Sequence, residues 1–405
     1  MVHESTRLTV VGIGADGWAG LAEGAREEIA AAEIVLGGAR QLAMLPPDSR
    51  QQRRMWPSPL RPALERLGTD CAGLRTVVLA SGDPMISGIG TSLVDTYGAE
   101  NVSIIPAVSS VALARARLGW SAESTMVVSV VGRDVNAVAR ELAPGRRVLV
   151  LSSDESTPAA IAQLLVDNGY GSSRMAVLGD LGGRSETVSI TTASEAHERA
   201  VGAPRLNIVG LELNGPHIAG WTAGLADMLF DNDGQLTKRD LRASALSRLM
   251  PAPGHLLWDV GAGAGSVGIE WMRAHPTCRT FSIEVDRTRA ERIARNARKL
   301  GVPALQIIEG SAPEALTGLP APDAIFIGGG ATRPGVMSTC LSALRAGGRL
   351  VVHCVTVETE SLLAKAYREH GGELTRIHTE TAAPVGSFTG WTPSRAVTQW
   401  AFTKH

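Results

Sequence analysis

At 405 residues the chain is longer than one hydrophobic core ordinarily organises, so two or three domains are expected. Its net charge of −1, with 44% hydrophobic and 20% charged residues and no run of Lys or Arg, argues against nucleic-acid binding, which needs a basic surface to displace counterions. No stretch is long and apolar enough to span a membrane, and the start "MVHESTRLTVVGIG" lacks the apolar core of a signal peptide. Cys71, Cys278, Cys340 and Cys354 are widely spaced and form no C-x-x-C. The histidines form no ligand cluster, which argues against bound metal and for a reducing cytoplasm.

In chain order, a strand is expected from Leu8 to Val11, followed by the Ala-rich helical stretch "GLAEGAREEIAAA" (20–32). Further strands are read in "TVVLASGDP" (76–84), "NVSIIPAVSS" (101–110), "RVLVLSS" (147–153) and "RLNIVGLEL" (205–213). Their alternation with helical stretches predicts mainly parallel sheets covered by helices. The segment "PAVSSVALARARLGW" (106–120) becomes helical after its two serines, and an internal division is placed near 106–110. The helix "TPAAIAQLLVDNG" (157–169) is expected to take Thr157 as N-cap, Pro158 at its first position and Gly169 as its stop.

The Gly- and Pro-containing stretch 214–227 reads as a join. After it come a helix over 236–250 with Thr237 as N-cap, then strands in 255–260, 279–285, 305–310, 323–328 and 348–355. That order predicts a doubly wound α/β sheet. The stretch "APVGSFTGWTP" (383–393) reads either as a mobile lid or as a β-hairpin.

Two glycine-rich loops invite a cofactor. "WDVGAGAGSVGIEW" (258–271) fits G-x-G-x-x-G from Gly263, the dinucleotide pattern, and D-x-G-x-G-x-G from Asp259, a loop that holds S-adenosylmethionine. A turn starting at Gly261 leaves Asp259 at the carboxyl end of its strand. A turn starting at Gly263 would bury it inside, at a cost. Gly261, Gly263 and Gly265 would let the backbone approach a ligand closely. Glu284, an acid at the next strand end, can accept the hydroxyls of a ribose from either cofactor. Asp286 reads as a solvated acid.

Near the N-terminus, Gly12, Gly14 and Gly17 also match G-x-G-x-x-G. Here Asp16 would face a pyrophosphate at a helix start, where anions gather, and the ribose-binding acid is missing because Glu33 precedes its strand. "ASGDPMISGIG" (80–90) sets a Gly82-Asp83-Pro84 turn directly after a strand.

Taken with "GIGADG" before it and "PAVSSVALARARLGW" after it, that turn resembles the tetrapyrrole (corrin/porphyrin) methylase family, though the family's usual Pro in the first loop is replaced here by "ADG". "LTKRDLRASALSRL", "LLWDVGAGAGSVGIEW", "EGSAPEAL" and "DAIFIGGG" resemble class I S-adenosylmethionine-dependent methyltransferases. The fusion of a CbiE-like and a CbiT-like part resembles the decarboxylating precorrin-6Y C(5,15)-methyltransferases of cobalamin synthesis over nearly the whole chain.

The resemblance implies a two-lobed tetrapyrrole methylase fold over 1–213, a linker over 214–227 and a Rossmann-like class I fold over 228–405. It implies two S-adenosylmethionine sites, one per domain. The substrate would be precorrin-6B, methylated at carbons 5 and 15 with loss of the ring C acetate carboxyl to give precorrin-8X. Carbon 15 and the decarboxylation fall to the C-terminal part, and carbon 5 to the N-terminal part. Cofactor contacts would fall on Thr237, Gly261, Ala262, Gly263, Ala264, Gly265, Glu284 and Ala312, and in the first domain on Gly82, Asp83, Pro84, Ser109 and Ser110. A cytoplasmic homo-oligomer is expected.

A reduced macrocycle offers an enamine-like carbon nucleophile, so positioning in a dry pocket, worth ~7–11 kcal/mol, can replace a strong base. Lys238, Arg239 and Arg242 are candidate anchors for the substrate's carboxylates, or a solvated helix face, with positions 238 and 242 sharing a side. His353 is a candidate proton donor for the decarboxylation, or a satisfied strand-end histidine. The rival readings are an RNA methyltransferase, which should show a basic or aromatic platform, and a non-catalytic cofactor-binding scaffold.

Overall fold

The computed structural model describes residues 8–47, 50–199 and 202–405. Contacts divide the chain into two units: one runs to Pro216 except for Asn136–Ala143, and that segment groups with His217–His405 in the other.

The first unit holds two sheets. Strands β1 (Leu8–Ile13), β2 (Ile34–Gly37), β3 (Gln52–Met55), β4 (Thr76–Ser81) and β5 (Val102–Ile105) pair in the order β3-β2-β4-β1-β5, all parallel. Their near-continuous Val, Ile and Leu runs suit a sheet buried on both faces. Alternate residues serve opposite cores. Val10, Ile34 and Val78 meet Leu64 and Leu67, whereas Val11, Val35 and Val77 meet Ala25 and Ile29.

Strands β6 (Thr125–Ser129), β7 (Arg147–Leu151), β8 (Arg174–Gly179), β9 (Thr187–Thr192) and β10 (Asn207–Glu212) form the second sheet, ordered β6-β7-β10-β8-β9. Only β6 and β7 run parallel, so this lobe departs from the mainly parallel expectation. Residues 180–186 between β8 and β9 are too few for the crossover that a parallel pair requires. Helix Ser110–Leu118 packs Val111 and Ala114 against Leu149 and Ile208 of this lobe. The helix Thr157–Asp167 has Ser156, not Thr157, as N-cap. Thr157 Oγ1 instead accepts the N–H groups of Ser153 and Asp154, at 3.2 and 3.3 Å, which fixes the turn before the helix.

The second unit is built on β11 (Leu256–Val260), β12 (Arg279–Glu284), β13 (Gln306–Glu309), β14 (Ala324–Ile327), β15 (Arg349–Cys354), β16 (Glu373–Ile377) and β19 (Val397–Thr403). The order is β13-β12-β11-β14-β15-β19-β16, with β19 antiparallel to both its neighbours and the other pairs parallel. Helices Arg239–Leu249, Ser266–Ala274 and Arg287–Lys299 cover one face through Leu246, Ile269 and Ile293. Val336, Cys340, Leu363 and Ala366 cover the other. The chain leaves β11 toward β12 on one side and reaches β14 on the other, which opens a crevice at the carboxyl ends of these strands. The stretch 383–393 lies in a separate antiparallel hairpin, β17 (Glu380–Val385) with β18 (Phe388–Pro393). Among the described residues, no helix is long and apolar enough to cross a membrane.

Candidate active sites

In the second unit the strand β11 stops at Val260, and Gly261, Gly263 and Gly265 take positive φ angles of 69°, 60° and 75°. A side chain at any of them would be strained. It would also meet the chain itself: a Cβ at Gly261 lies 2.9 Å from the Gly329 carbonyl, at Gly263 2.8 Å from the Gln235 carbonyl, and at Gly265 2.7 Å from Ile293. The turn is pinned by the Gly261 and Ala262 N–H groups on the Ile283 carbonyl. Ala264 is buried behind it.

Glu284, at the carboxyl end of β12, is buried and accepts the Gly263 N–H at 2.8 Å and the Asp286 N–H at 3.1 Å. The Gly310 N–H bonds to the Glu284 carbonyl, so the loop that carries Ala312 begins beside this acid. Asp286 caps the helix Arg287–Lys299 through the Arg289 N–H.

Asp259 is the penultimate residue of β11, at its carboxyl end, with the turn opening at Gly261 as expected. It is fully buried, with one carboxylate oxygen on the Gly268 N–H at 3.0 Å and the other without a partner. Burial raises its pKa to about 7; the Gly268 hydrogen bond opposes the shift and nearby Glu284 adds to it. Burial thus favours the protonated form of this acid below about pH 7.

Segment 224–238 lies against the glycine turn through Gln235 and is held from beneath by groups that sequence reasoning missed. Asn296 accepts the Asp231 N–H and donates to the carbonyls of Asp231 (2.9 Å) and Ala264 (3.0 Å), joining segment to turn. Arg289 Nε contacts Asp233 Oδ2 at 2.9 Å and holds that carboxyl well below its usual range. Glu270 accepts the N–H groups of Gly224 (2.6 Å) and Leu225 (3.0 Å). The sequence does carry a signal for Asn296: it shares a buried helix face with Ile293 and Ala297, where a polar side chain needs a partner.

Three expectations need correction. Arg242 is not open to a substrate. It is completely buried, paired with Glu270 and Asp227, donates to the carbonyls of Leu225 and Thr237, and lies 4.7 Å over the Phe230 ring. Lys238, the exposed N-cap of the helix, reaches the same Asp227 carboxylate at 3.8 Å, so the two positions lie on one side, but only Lys238 is exposed. Thr237 is not the N-cap; Lys238 occupies that position without a side-chain bond, and the Thr237 carbonyl is bound by Arg242. Arg239 is exposed at the first helical position. His353 is a satisfied buried histidine. Its Nε2 lies 2.8 Å from Gln399 Oε1, its ring meets Phe326 edge-on, and burial pulls its pKa down to about 4, so at neutral pH it is not an imidazolium acid.

In the first unit a cavity of about 1210 Å³ is lined from one lobe by Gly12, Gly82 and Ser110 and from the other by Ser152, Asp180 and Asn207. Gly12 has no room for a Cβ, which would overlap the Gly82 carbonyl, and the Ala107 N–H bonds that same carbonyl at 3.2 Å. The ends of β1, β4 and β5 thus converge. Asp83 spends a carboxylate oxygen on the Met85 N–H at 2.8 Å, Pro84 is packed beneath Gly88 and Gly90, and Ser109 caps its helix on the Ala112 N–H at 3.1 Å. These three shape the loops, whereas Gly82 and Ser110 face the cavity.

The second unit is a doubly wound class I S-adenosylmethionine-dependent methyltransferase fold, and the first is the two-lobed tetrapyrrole methylase fold. Residues 7–197 match the tetrapyrrole (corrin/porphyrin) methylase family, and residues 228–404 match the precorrin methyltransferase domain. A precorrin-6Y C(5,15)-methyltransferase [decarboxylating] of Sinorhizobium sp is 46% identical over 98% of this chain and 96% of its own length. One from Mycobacterium tuberculosis is 42% identical over 98% of this chain and 100% of its own. The crystal structure of the C-terminal domain of precorrin-6Y C5,15-methyltransferase from Rhodobacter capsulatus is 39% identical, covering 46% of this chain and 100% of that one, with a TM-score of 0.44. The chain belongs to the decarboxylating precorrin-6Y C(5,15)-methyltransferase family.

Proposed function

We propose that this protein methylates a precorrin macrocycle at carbons 5 and 15 and removes the ring C acetate carboxyl as carbon dioxide, taking both methyl groups from S-adenosylmethionine at two separate sites. The observation that carries the reading is that two unrelated α/β units, each with a glycine-lined opening at its strand ends, are joined in the same order as in full-length relatives of that name. The domains are assigned to 1–213 and 228–405 with 214–227 between them. Carbon 15 and the decarboxylation belong to the second domain and carbon 5 to the first.

The residues suit the cofactor. A cradle in which no Cβ fits lies beside a buried carboxylate, as a ribose-bearing ligand requires. Gly261, Ala262, Gly263, Ala264 and Gly265 would hold it, with Glu284 on its hydroxyls and Thr237 and Ala312 at its flanks. In the first unit Gly82 and Ser110 would line its site, with Asp83, Pro84 and Ser109 holding the loops. When bound, S-adenosylmethionine supplies an electrophilic methyl group. The protein's part is to orient the macrocycle and exclude water, which suits a nucleophile that needs no strong base. Lys238 and Arg239, both exposed beside the cradle, would receive substrate carboxylates. The enzyme is assigned to the cytoplasm as a homo-oligomer.

The test is mass analysis of the product formed from precorrin-6B by the full chain. A gain of two methyl groups with loss of carbon dioxide supports the reading. Cofactor binding without release of S-adenosylhomocysteine would make the protein a scaffold and overturn it.

A further inference from the structure

The cavity of the first unit contains a cation without a counter-ion. Arg40 lies on the short helix Ala39–Ala43 and lines the cavity. Its guanidinium donates to Ser81 Oγ at 2.8 Å and to Met44 Sδ at 3.7 Å. Neither partner carries charge, and a thioether is a weak acceptor for one of the five N–H donors of an arginine. Arg117 and Arg147 of this unit are ion-paired, the first forked onto Glu186 and the second with two nitrogens on one oxygen of Glu212, whereas Arg26 and Arg54 also bond only uncharged groups but do not line the cavity. No carboxylate among the described residues contacts Arg40. Asp180, which also lines the cavity, acts on it only at a distance, and burial lowers its pKa more than Asp180 restores it. A half-buried cation in that state is stabilised by an anion arriving from outside.

The guanidinium is also placed. Gln41 accepts the Gly38 N–H and donates to Ser81 Oγ at 3.1 Å, so the Ser81 hydroxyl is gripped by Gln41 and Arg40 together. Ser81 ends β4, one residue before the turn that opens with Gly82. Arg40 is thereby tied to the loop assigned to the cofactor. The cavity, about 1210 Å³, exceeds the usual range for a single small ligand and has room for a macrocycle beside a cofactor. Of the other charged groups on its wall, Asp16 and Asp180 repel carboxylates, and Arg205 is exposed.

We propose that Arg40 is the specificity contact of the first unit, holding a side-chain carboxylate of the macrocycle so that carbon 5 is presented for methylation. A guanidinium fork matches a carboxylate in two parallel hydrogen bonds, whereas Lys offers only a point charge. The inference rests on the functional reading above. The other source of the same chemistry is the amino-acid carboxylate of the cofactor, and the experiment separates the two.

The full chain and its Arg40→Gln and Arg40→Lys variants are compared on precorrin-6B, with KM and product mass as readouts. S-adenosylmethionine affinity is measured by calorimetry, and melting midpoints check folding. Arg40→Gln is expected to raise the macrocycle KM of the carbon 5 step by ~10- to 100-fold and to accumulate singly methylated, decarboxylated product, with unchanged cofactor affinity. Arg40→Lys should fall between it and the wild type. An unchanged KM in both variants overturns the assignment. Weakened cofactor binding with an unchanged macrocycle KM also overturns it and gives the carboxylate to the cofactor. A wild-type chain that forms no methylated product sinks the functional reading itself; an active wild type with an unaffected Arg40→Gln sinks only the role of Arg40.

Discussion

The two units make a ligand opening in different ways. In the second, one contiguous turn does most of the work: three glycines at positive φ, each pressed against Gly329, Gln235 or Ile293, leave backbone where side chains would stand. In the first, the opening is a wide cavity assembled from strand ends far apart in sequence, and the polar side chains nearest its turn are spent on their own loops. A site made of backbone conformation is brittle and specific, whereas one made by convergence is roomier and depends on a few projecting groups such as Arg40.

The sharpest break of that contrast is Gly263→Arg. A side chain there meets the Gln235 carbonyl at a φ that L-residues avoid, so carbon 15 methylation and the decarboxylation should be lost, at least 100-fold, while the first unit stays folded. Product mass analysis and circular dichroism check this. Glu270→Ala comes next. It leaves Arg242 buried with Asp227 as its remaining counter-ion and the Gly224 and Leu225 N–H groups without their acceptor, and should cost about 3–5 kcal/mol in denaturant unfolding of the second unit.

The pH dependence of the second unit follows from Asp259. Its pKa is raised from 3.8 to about 7 in the folded state, so between those values the folded chain binds a proton that the unfolded chain has lost. This contribution is fully present below pH 3.8, declines as pH rises and is gone above about 7. His353 acts in the opposite sense, because its pKa falls from 6.5 to about 4 and stability is lost as pH drops through that window. The two windows overlap with opposite signs, so Asp259→Asn should unmask the His353 contribution: melting midpoints should rise more steeply from pH 4 to pH 6.5 in the variant than in the wild type.

Asn296→Ala removes the bridge between the Ala264 and Asp231 carbonyls and should weaken cofactor binding to the second unit roughly tenfold, measured by calorimetry. The smallest effect belongs to the first unit. Arg147 and Glu212 form a half-exposed pair, and Glu212→Ala should cost no more than about 1 kcal/mol. A cost there as large as that of Glu270→Ala would erase the distinction between the units' ion pairs.

The same contrast explains what could be read in advance. The spacing of Gly261, Gly263 and Gly265 and the strand-end position of Glu284 are local patterns, and the structure brings them together at 2.8 Å. The antiparallel lobe of the first unit escaped the reading because strand direction depends on connection length, and the periodicity of β8 and β9 is the same either way. Arg242 was misread because an arginine on a helix resembles a solvated cation until Glu270, 28 residues away, is seen to meet it. For His353 the sequence left a proton donor and a satisfied histidine open, and only its partner Gln399 on β19 decides for the second. Arg40 carried no motif. Only the fold shows that it faces a cavity with a hydroxyl and a thioether as its neighbours.

Calorimetric titration of the full chain with S-adenosylmethionine tests the central claim most directly. Two cofactor molecules per chain, falling to one in Gly263→Arg, is the predicted result. A single molecule per wild-type chain, or an unchanged stoichiometry in the variant, would contradict the account.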